Sequence, residues 1–160
     1  MRAWALAVLL LTAGCGGAGT AVQEAERVAP DGSALVPVSI ASANGHHRFH
    51  VELARTAAAQ QQGLMFRTDL PTDGGMLFAP YPAAGAGPAE ASFWMKNTPT
   101  SLDIVFIRAD GTIARIAENT VPFSEGMVSS GEPVAAVLEL VGGRAAALGI
   151  AEGDRVTWPR

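Results

Sequence analysis

The sequence predicts a mainly β fold, a single-domain sandwich or partly closed barrel with one or two short accessory helices. Three observations carry that expectation. Short apolar runs rich in Val, Ile, Leu and Phe recur from residue 35 onward; pairs such as Asn44-Gly45, Asp110-Gly111 and Gly142-Gly143 punctuate them; and Phe49, Val51 and Leu53 interleave with Arg48, His50 and Glu52. A period of two between turn-forming pairs is the mark of half-buried strands, because successive strand side chains point to opposite faces.

The first strand, over residues 35–40, is enriched in β-branched residues, and Pro37 places it at an edge or near a strand start because proline lacks a backbone donor. Asn44-Gly45 supplies the positive-φ pair of a tight hairpin, and the return strand aims Phe49, Val51 and Leu53 at the core. Thr56 is an N-cap ahead of the helix formers at 57–62, and Gly63 is the stop. Met76, Leu77 and Phe78 form a short strand. Residues 81–88, dense in Pro and Gly, form a loop expected either to overhang a neighbouring element or to move freely. A strand at 91–95, a turn at Asn97-Thr98-Pro99 and a second strand at 102–108 follow, the last so continuously apolar that both its faces are expected to be buried. Asp110-Gly111 turns the chain into a strand at 112–116. Residues 122–133 read as a long polar connection. A strand at 134–141 interrupted by Glu139, a helical turn at 144–148 ended by Gly149, and a strand at 154–158 complete the domain, assigned to 35–160.

The chain before that domain predicts export. Residues 1–14 combine an N-terminal Arg2 with an apolar run too short to remain as a spanning helix, the pattern of a signal peptide. Thr12-Ala13-Gly14-Cys15 resembles the bacterial lipobox, with Thr12 where leucine is usual, and Cys15 is the chain's single cysteine. A lone thiol has no intramolecular disulfide partner in an oxidising compartment, so lipidation of Cys15 accounts for it better. Acyl chains bury methylenes at about 0.8 kcal/mol each, so a multiply acylated Cys15 would hold the domain at a membrane through the Gly-rich tether expected up to residue 34. The resulting expectation is a lipid-anchored protein of the cell envelope facing the periplasm. Nucleic acid is excluded as a partner: the net charge is −4, and the eleven basic residues are scattered.

The blocks Gln62-Gly63-Leu64-Met65-Phe66-Arg67, Gly75-Met76-Leu77-Phe78, Phe93-Trp94-Met95-Lys96-Asn97-Thr98, Leu102-Asp103-Ile104 and Val137-Leu138-Glu139-Leu140 together resemble the domain-of-unknown-function 192 family of small bacterial and archaeal proteins. The resemblance runs from about Val36 to Trp158 and implies a compact, mainly β fold with a helix after the first hairpin; it implies no reaction. The chain departs from the family pattern at one loop, where Pro99 lies two residues after Asn97 and Thr100-Ser101 precede Leu102-Asp103.

Chemistry concentrates around residues 92–107, which hold the only lysine beside aromatic and carboxylate groups. Lys96, Asn97, Thr98 and Asp103 are candidates for a polar pocket, with Trp94 stacking on a flat ligand such as a sugar, Glu139 adding a second acid and Arg67 reaching in as a carboxylate fork. The alternative is architectural: Lys96 or Arg67 satisfies Asp103 or Glu139 inside the fold, because a buried charge left alone costs several kcal/mol, about 3–5. Met65, Met76 and Met95, with His46, His47 and His50, suggest soft-metal binding, but methionine is more often core filler and no ligand spacing links the histidines. No phosphate loop, metal-ligand set or nucleophile–base pair is present in the pattern, so no metal and no cofactor is expected. The leading expectation is an envelope-tethered module that binds a small polar or carbohydrate ligand or a polymer. The alternatives are a small hydrolase using Asp103 and Glu139 as acid and base, and a structural or interaction protein; oligomeric state is left open.

Overall fold

A computed structural model describes residue 28, residues 34–83, residue 85 and residues 87–159. The expected export signal at 1–14, Cys15 and all of the expected tether except Val28 and Ala34 lie outside the described residues. Those two residues form an isolated antiparallel bridge.

Ala43 and Asn44 form the turn that joins β1 (Val36–Ser42) to β2 (Gly45–Ala54), with Val36 opposite Val51 and Ser42 opposite Gly45; of the expected positive-φ pair Asn44-Gly45, only Gly45, at a φ of 125°, takes that conformation and it opens β2. The hairpin leads into α1 (Ala57–Gln62). There the Thr56 hydroxyl accepts the Ala59 N–H at 3.1 Å, and Gly63, at a φ of 50°, ends the helix. The chain crosses over to β3 (Gly75–Phe78), which pairs parallel with β2, while β4 (Ala89–Phe93) leaves the sheet. Next come β5 (Leu102–Ile107) and β6 (Ile113–Ala117), joined by the expected Asp110-Gly111 turn. After these follow β7 (Val128–Val134), β8 (Ala136–Val141), α2 (Arg144–Leu148) and β9 (Arg155–Thr157).

Seven strands form one sheet in the order β6-β5-β8-β3-β2-β1-β9, and β4 and β7 form a separate two-stranded ribbon. The outer strands of the large sheet meet. Thr112 bridges Arg155, the Ile113 N–H donates to the Asp154 carbonyl at 2.8 Å, and the Val156 N–H donates to the Gly111 carbonyl at 2.8 Å. The sheet is therefore a nearly closed barrel, which removes the exposed donors and acceptors an open edge would present.

Alternation sorts the apolar residues into two layers. Val38, Phe49, Val51, Leu77, Val105, Leu138 and Leu140 fill the barrel, while Met76, Phe78, Ile104, Phe106 and Val137 point outward beneath Ala91 and Val134 of the ribbon. Every residue of β3 and β5 is buried, as expected for the continuous apolar run at 102–108. Gly75 is required by this packing: a Cβ there would be driven into the Glu139 backbone carbonyl.

Three expectations need correction. The polar connection at 122–133 contains a strand, β7, whose Ser, Gly and Pro residues have weak β propensity. The ribbon compensates with cross-strand bonds, including that from the Ala91 N–H to the Ser130 hydroxyl at 2.9 Å. The strand placed at 134–141 starts only at Ala136, because the Ala135 backbone turns away to bond Ile107 and Tyr81. The strand placed at 91–95 stops at Phe93, beyond which the Met95 N–H bonds the Ser124 carbonyl instead of a neighbouring strand.

Candidate functional site

Glu139 sits in the middle of β8, between Leu138 and Leu140, which fill the barrel. Strand alternation therefore turns its carboxyl outward, opposite Met76 on β3 and Ile104 on β5, and it is 4% exposed. Above it lies a cavity of about 640 Å³, bounded by α1 and residues 63–65, the 81–83 loop with Gly85, the end of β4, Thr98 and Met127. The described residues 81–83 and 85 of the breaker-rich loop thus lie against α1 and the end of β4 around the cavity, one of the two outcomes expected of that loop.

The cavity wall is aromatic. Phe93 stands edge-on to Phe78 at 5.0 Å between ring centroids and is tilted against Tyr81 at 5.7 Å, so three rings brace one another and Trp94 completes the wall. One glutamine holds the roof: the Gln60 side-chain amide donates to the carbonyls of Ala54 at 3.0 Å and Pro80 at 2.8 Å, and its oxygen accepts the Ala83 N–H at 3.0 Å. The Tyr81 N–H is tied to the Ala135 carbonyl at 2.8 Å. The concavity is built into the folded chain and does not depend on a ligand to shape it.

Among the described residues, the Glu139 carboxyl oxygen Oε2 has no hydrogen-bond partner. Burial alone pushes the pKa of this acid from 4.5 to about 8, so it is mostly uncharged at neutral pH. An uncompensated carboxyl facing a preformed hollow is a binding group whose partner the protein does not itself supply.

The other candidates are distributed differently from expectation. Asp103 pairs with Leu140 across β5 and β8, whereas Ile104 pairs with Glu139, so the two acids lie on opposite faces of the sheet. An acid–base pair of Asp103 and Glu139 is thereby corrected. Asp103 is fully buried and structural: its oxygens accept the N–H groups of Asn119 at 2.8 Å, Gly143 at 2.9 Å and Ala145 at 2.8 Å, which anchors the start of α2.

Neither basic residue reaches Glu139. Lys96 points outward with its side chain 43% exposed, its ammonium 3.9 Å from a Glu125 carboxylate oxygen and 5.1 Å from the Trp94 ring centre. Arg67 is held by Asp69 at 2.8 Å and Glu52 at 2.6 Å, and these hydrogen bonds raise its pKa further. It pairs with neither Asp103 nor Glu139, the two acids named for it as architectural partners. Asn97 adopts a φ of 56° and uses its carbonyl to accept the Phe66 N–H at 2.8 Å, which makes it a loop residue outside the cavity wall. Of the expected pocket residues, only Trp94, Thr98 and Glu139 line the cavity.

Gln60, Leu64, Phe78, Tyr81 and Ser92 line it although the sequence does not single them out for a pocket, as does Met65, which it offers only as a soft-metal candidate. The available signals were the Leu64-Met65 block after Gly63 and the breaker-rich loop beginning at Tyr81, both of which carry side chains over the sheet. Met76 and Met95 are buried in the outer apolar layer, and among the described residues no group of three or more His, Cys, Asp or Glu side chains is placed to hold a metal ion.

The family model DUF192, described as "Uncharacterized ACR", matches residues 39–158. A crystal structure of a protein of unknown function from Novosphingobium aromaticivorans is 45% identical with a TM-score of 0.78; the match covers 85% of this chain and 94% of that one. A second, from Sinorhizobium meliloti and described as a proposed transcription regulator, is 42% identical with a TM-score of 0.72, covering 78% of this chain and 93% of that one. No curated protein matches.

Proposed function

This chain belongs to the DUF192 family, and from that premise we propose that it is an envelope-tethered binding module that takes a small, largely apolar molecule into the cavity over Glu139. The observation that carries the reading is a buried carboxyl with an unpartnered oxygen at the floor of an aromatic hollow. Binding is favoured over hydrolysis because the second acid, Asp103, faces the barrel interior and is committed to three backbone donors. Gln61, Gln62, Ser92 and Thr98 among otherwise largely apolar lining residues suit a molecule with one polar end.

Thermal unfolding with indole and benzyl alcohol as probes tests the cavity. A ligand at about a hundred times its Kd stabilises by about 2.7 kcal/mol, which raises Tm by several degrees in a domain of this size. The expected result is such a rise in the wild type and a smaller one in Trp94→Ala, which removes one ring of the cavity wall at a partly exposed position. No shift in the wild type, or equal shifts in both proteins, refutes the proposal.

The tether rests on the export signal at 1–14 and on Cys15. Mass spectrometry of the protein isolated from its native membranes is expected to find an acylated Cys15 as the mature N-terminus. An unmodified cysteine, or cleavage elsewhere, removes the anchor and leaves the cavity reading intact.

A further inference from the structure

We propose that the cavity selects an organic cation, an ammonium group on an apolar body, seated between the Glu139 carboxylate and the faces of Tyr81, Phe93 and Trp94. This rests on the reading of the cavity as a ligand site and goes on to name the chemistry that site accepts.

Charge comes first. Among the described residues lining the cavity there is no Lys, Arg or His, while the floor carries a carboxyl group. An anion entering this hollow would meet no counter-charge and would approach an acid, so anionic ligands are disfavoured. A purely hydrocarbon ligand would fill the space but leave Oε2 as unpaired as before. A cation pairs with the ionised carboxyl group that lines the floor and balances its charge.

The walls point the same way. Aromatic faces carry negative quadrupole density and attract cations within about 6 Å of the ring centre, most strongly for tryptophan. Trp94 already attracts one on the protein surface, where the Lys96 ammonium lies 5.1 Å from its ring centre. Phe93 is locked by its contacts with Phe78 and Tyr81, so the wall is in place before a ligand arrives.

The charged groups on the elements packed around Glu139 are otherwise engaged. On the outward face, Glu52 of β2 is bound to Arg67, Glu90 of β4 accepts from the Ser129 hydroxyl at 2.6 Å, and Arg115 of β6 donates to the Ser129 carbonyl. Lys96 and Glu125 face each other outside the cavity. Besides Glu139, Tyr81 is the one titratable side chain among the described lining residues.

The empty site keeps its carboxyl protonated because burial penalises the charge. Binding a cation therefore releases that proton to the solvent: the O–H bond of Glu139 breaks and the carboxylate pairs with the ammonium. Affinity for a permanent cation must then rise with pH until Glu139 is ionised without help. A neutral ligand that accepts a hydrogen bond from the carboxylic acid gives the opposite slope, so the sign of the pH dependence separates the two.

Isothermal titration with benzyltrimethylammonium, whose charge does not titrate, and with benzyl alcohol as neutral comparator tests this on the wild type and Glu139→Gln. The wild type is expected to bind the cation about tenfold more tightly near pH 9 than near pH 7 and to release close to one proton per cation bound near pH 7, read from buffers of different ionisation enthalpy. Glu139→Gln is expected to show neither effect while still binding benzyl alcohol, which certifies its fold. If benzyl alcohol binds and the cation does not, or if cation affinity fails to rise with pH, the cation inference is overturned and the cavity remains a binding site. If neither probe binds the wild type, the underlying site reading fails and this inference with it.

Discussion

Glu139→Gln is expected to unfold at higher denaturant concentration than the wild type above neutral pH and to lose most of the pH dependence of stability between about pH 5 and pH 8. The folded state holds this carboxyl's pKa at about 8 against an ordinary 4.5. Between those values the native state keeps a proton that the unfolded chain releases, so stability falls as pH rises, by about 1.4 kcal/mol per pH unit. It is fully present below about pH 4.5, lost progressively up to about pH 8 and level beyond. The gap between those two values corresponds to about 5 kcal/mol, a large share of the 5–15 kcal/mol typical of a domain. Glutamine has nearly the same size and carries no charge to desolvate, although its buried amide returns about 1–3 kcal/mol of that gain if it finds no partners. Urea unfolding of both proteins across this pH range is the measurement. Parallel curves for wild type and variant would mean that the carboxyl is not held in a protonated state by burial.

Asp103→Ala is expected to be the most damaging single substitution outside the cavity. One side chain satisfies the backbone N–H groups of Asn119, Gly143 and Ala145, and the group itself is inaccessible to solvent. The buried Ala145 N–H left unsatisfied costs about 1–3 kcal/mol and the half-buried Asn119 and Gly143 N–H groups add less, so the expected loss is about 3 kcal/mol, with the start of α2 released from the start of β5. Equilibrium unfolding gives the magnitude, and amide hydrogen exchange at Gly143 and Ala145 localises it. A variant within about 1 kcal/mol of the wild type, with those amides still protected, would show that water or a shifted backbone replaces the carboxylate.

These two acids illustrate how far residue type and spacing reach. Both stand in β strands of continuous apolar character, and either could have been a catalytic acid, an ion-pair partner or a cap. Their roles diverge because β5 and β8 pair with Asp103 opposite Leu140 and Ile104 opposite Glu139. A shift of one residue in that register would have exchanged their faces. Lys96 shows the same limit: its aromatic neighbours suggest a pocket, yet the turn at Asn97, with its φ of 56°, belongs to a loop on which the ammonium lies near Glu125 and the Trp94 ring and does not line the cavity.

The sequence by itself determined the local pieces: the hairpin turns at Asn44-Gly45 and Asp110-Gly111, the capped helix after Thr56, the strands buried on both faces and the family. It did so because these depend on neighbours along the chain and on side-chain periods of two or nearly four. Only the tertiary structure decided that β6 and β9 meet to close the barrel, that Val128–Val134 becomes a strand by pairing with β4, and that Glu139 and Asp103 face opposite ways. Those outcomes depend on which distant segments exchange hydrogen bonds and in what register, and hence on packing over the whole barrel.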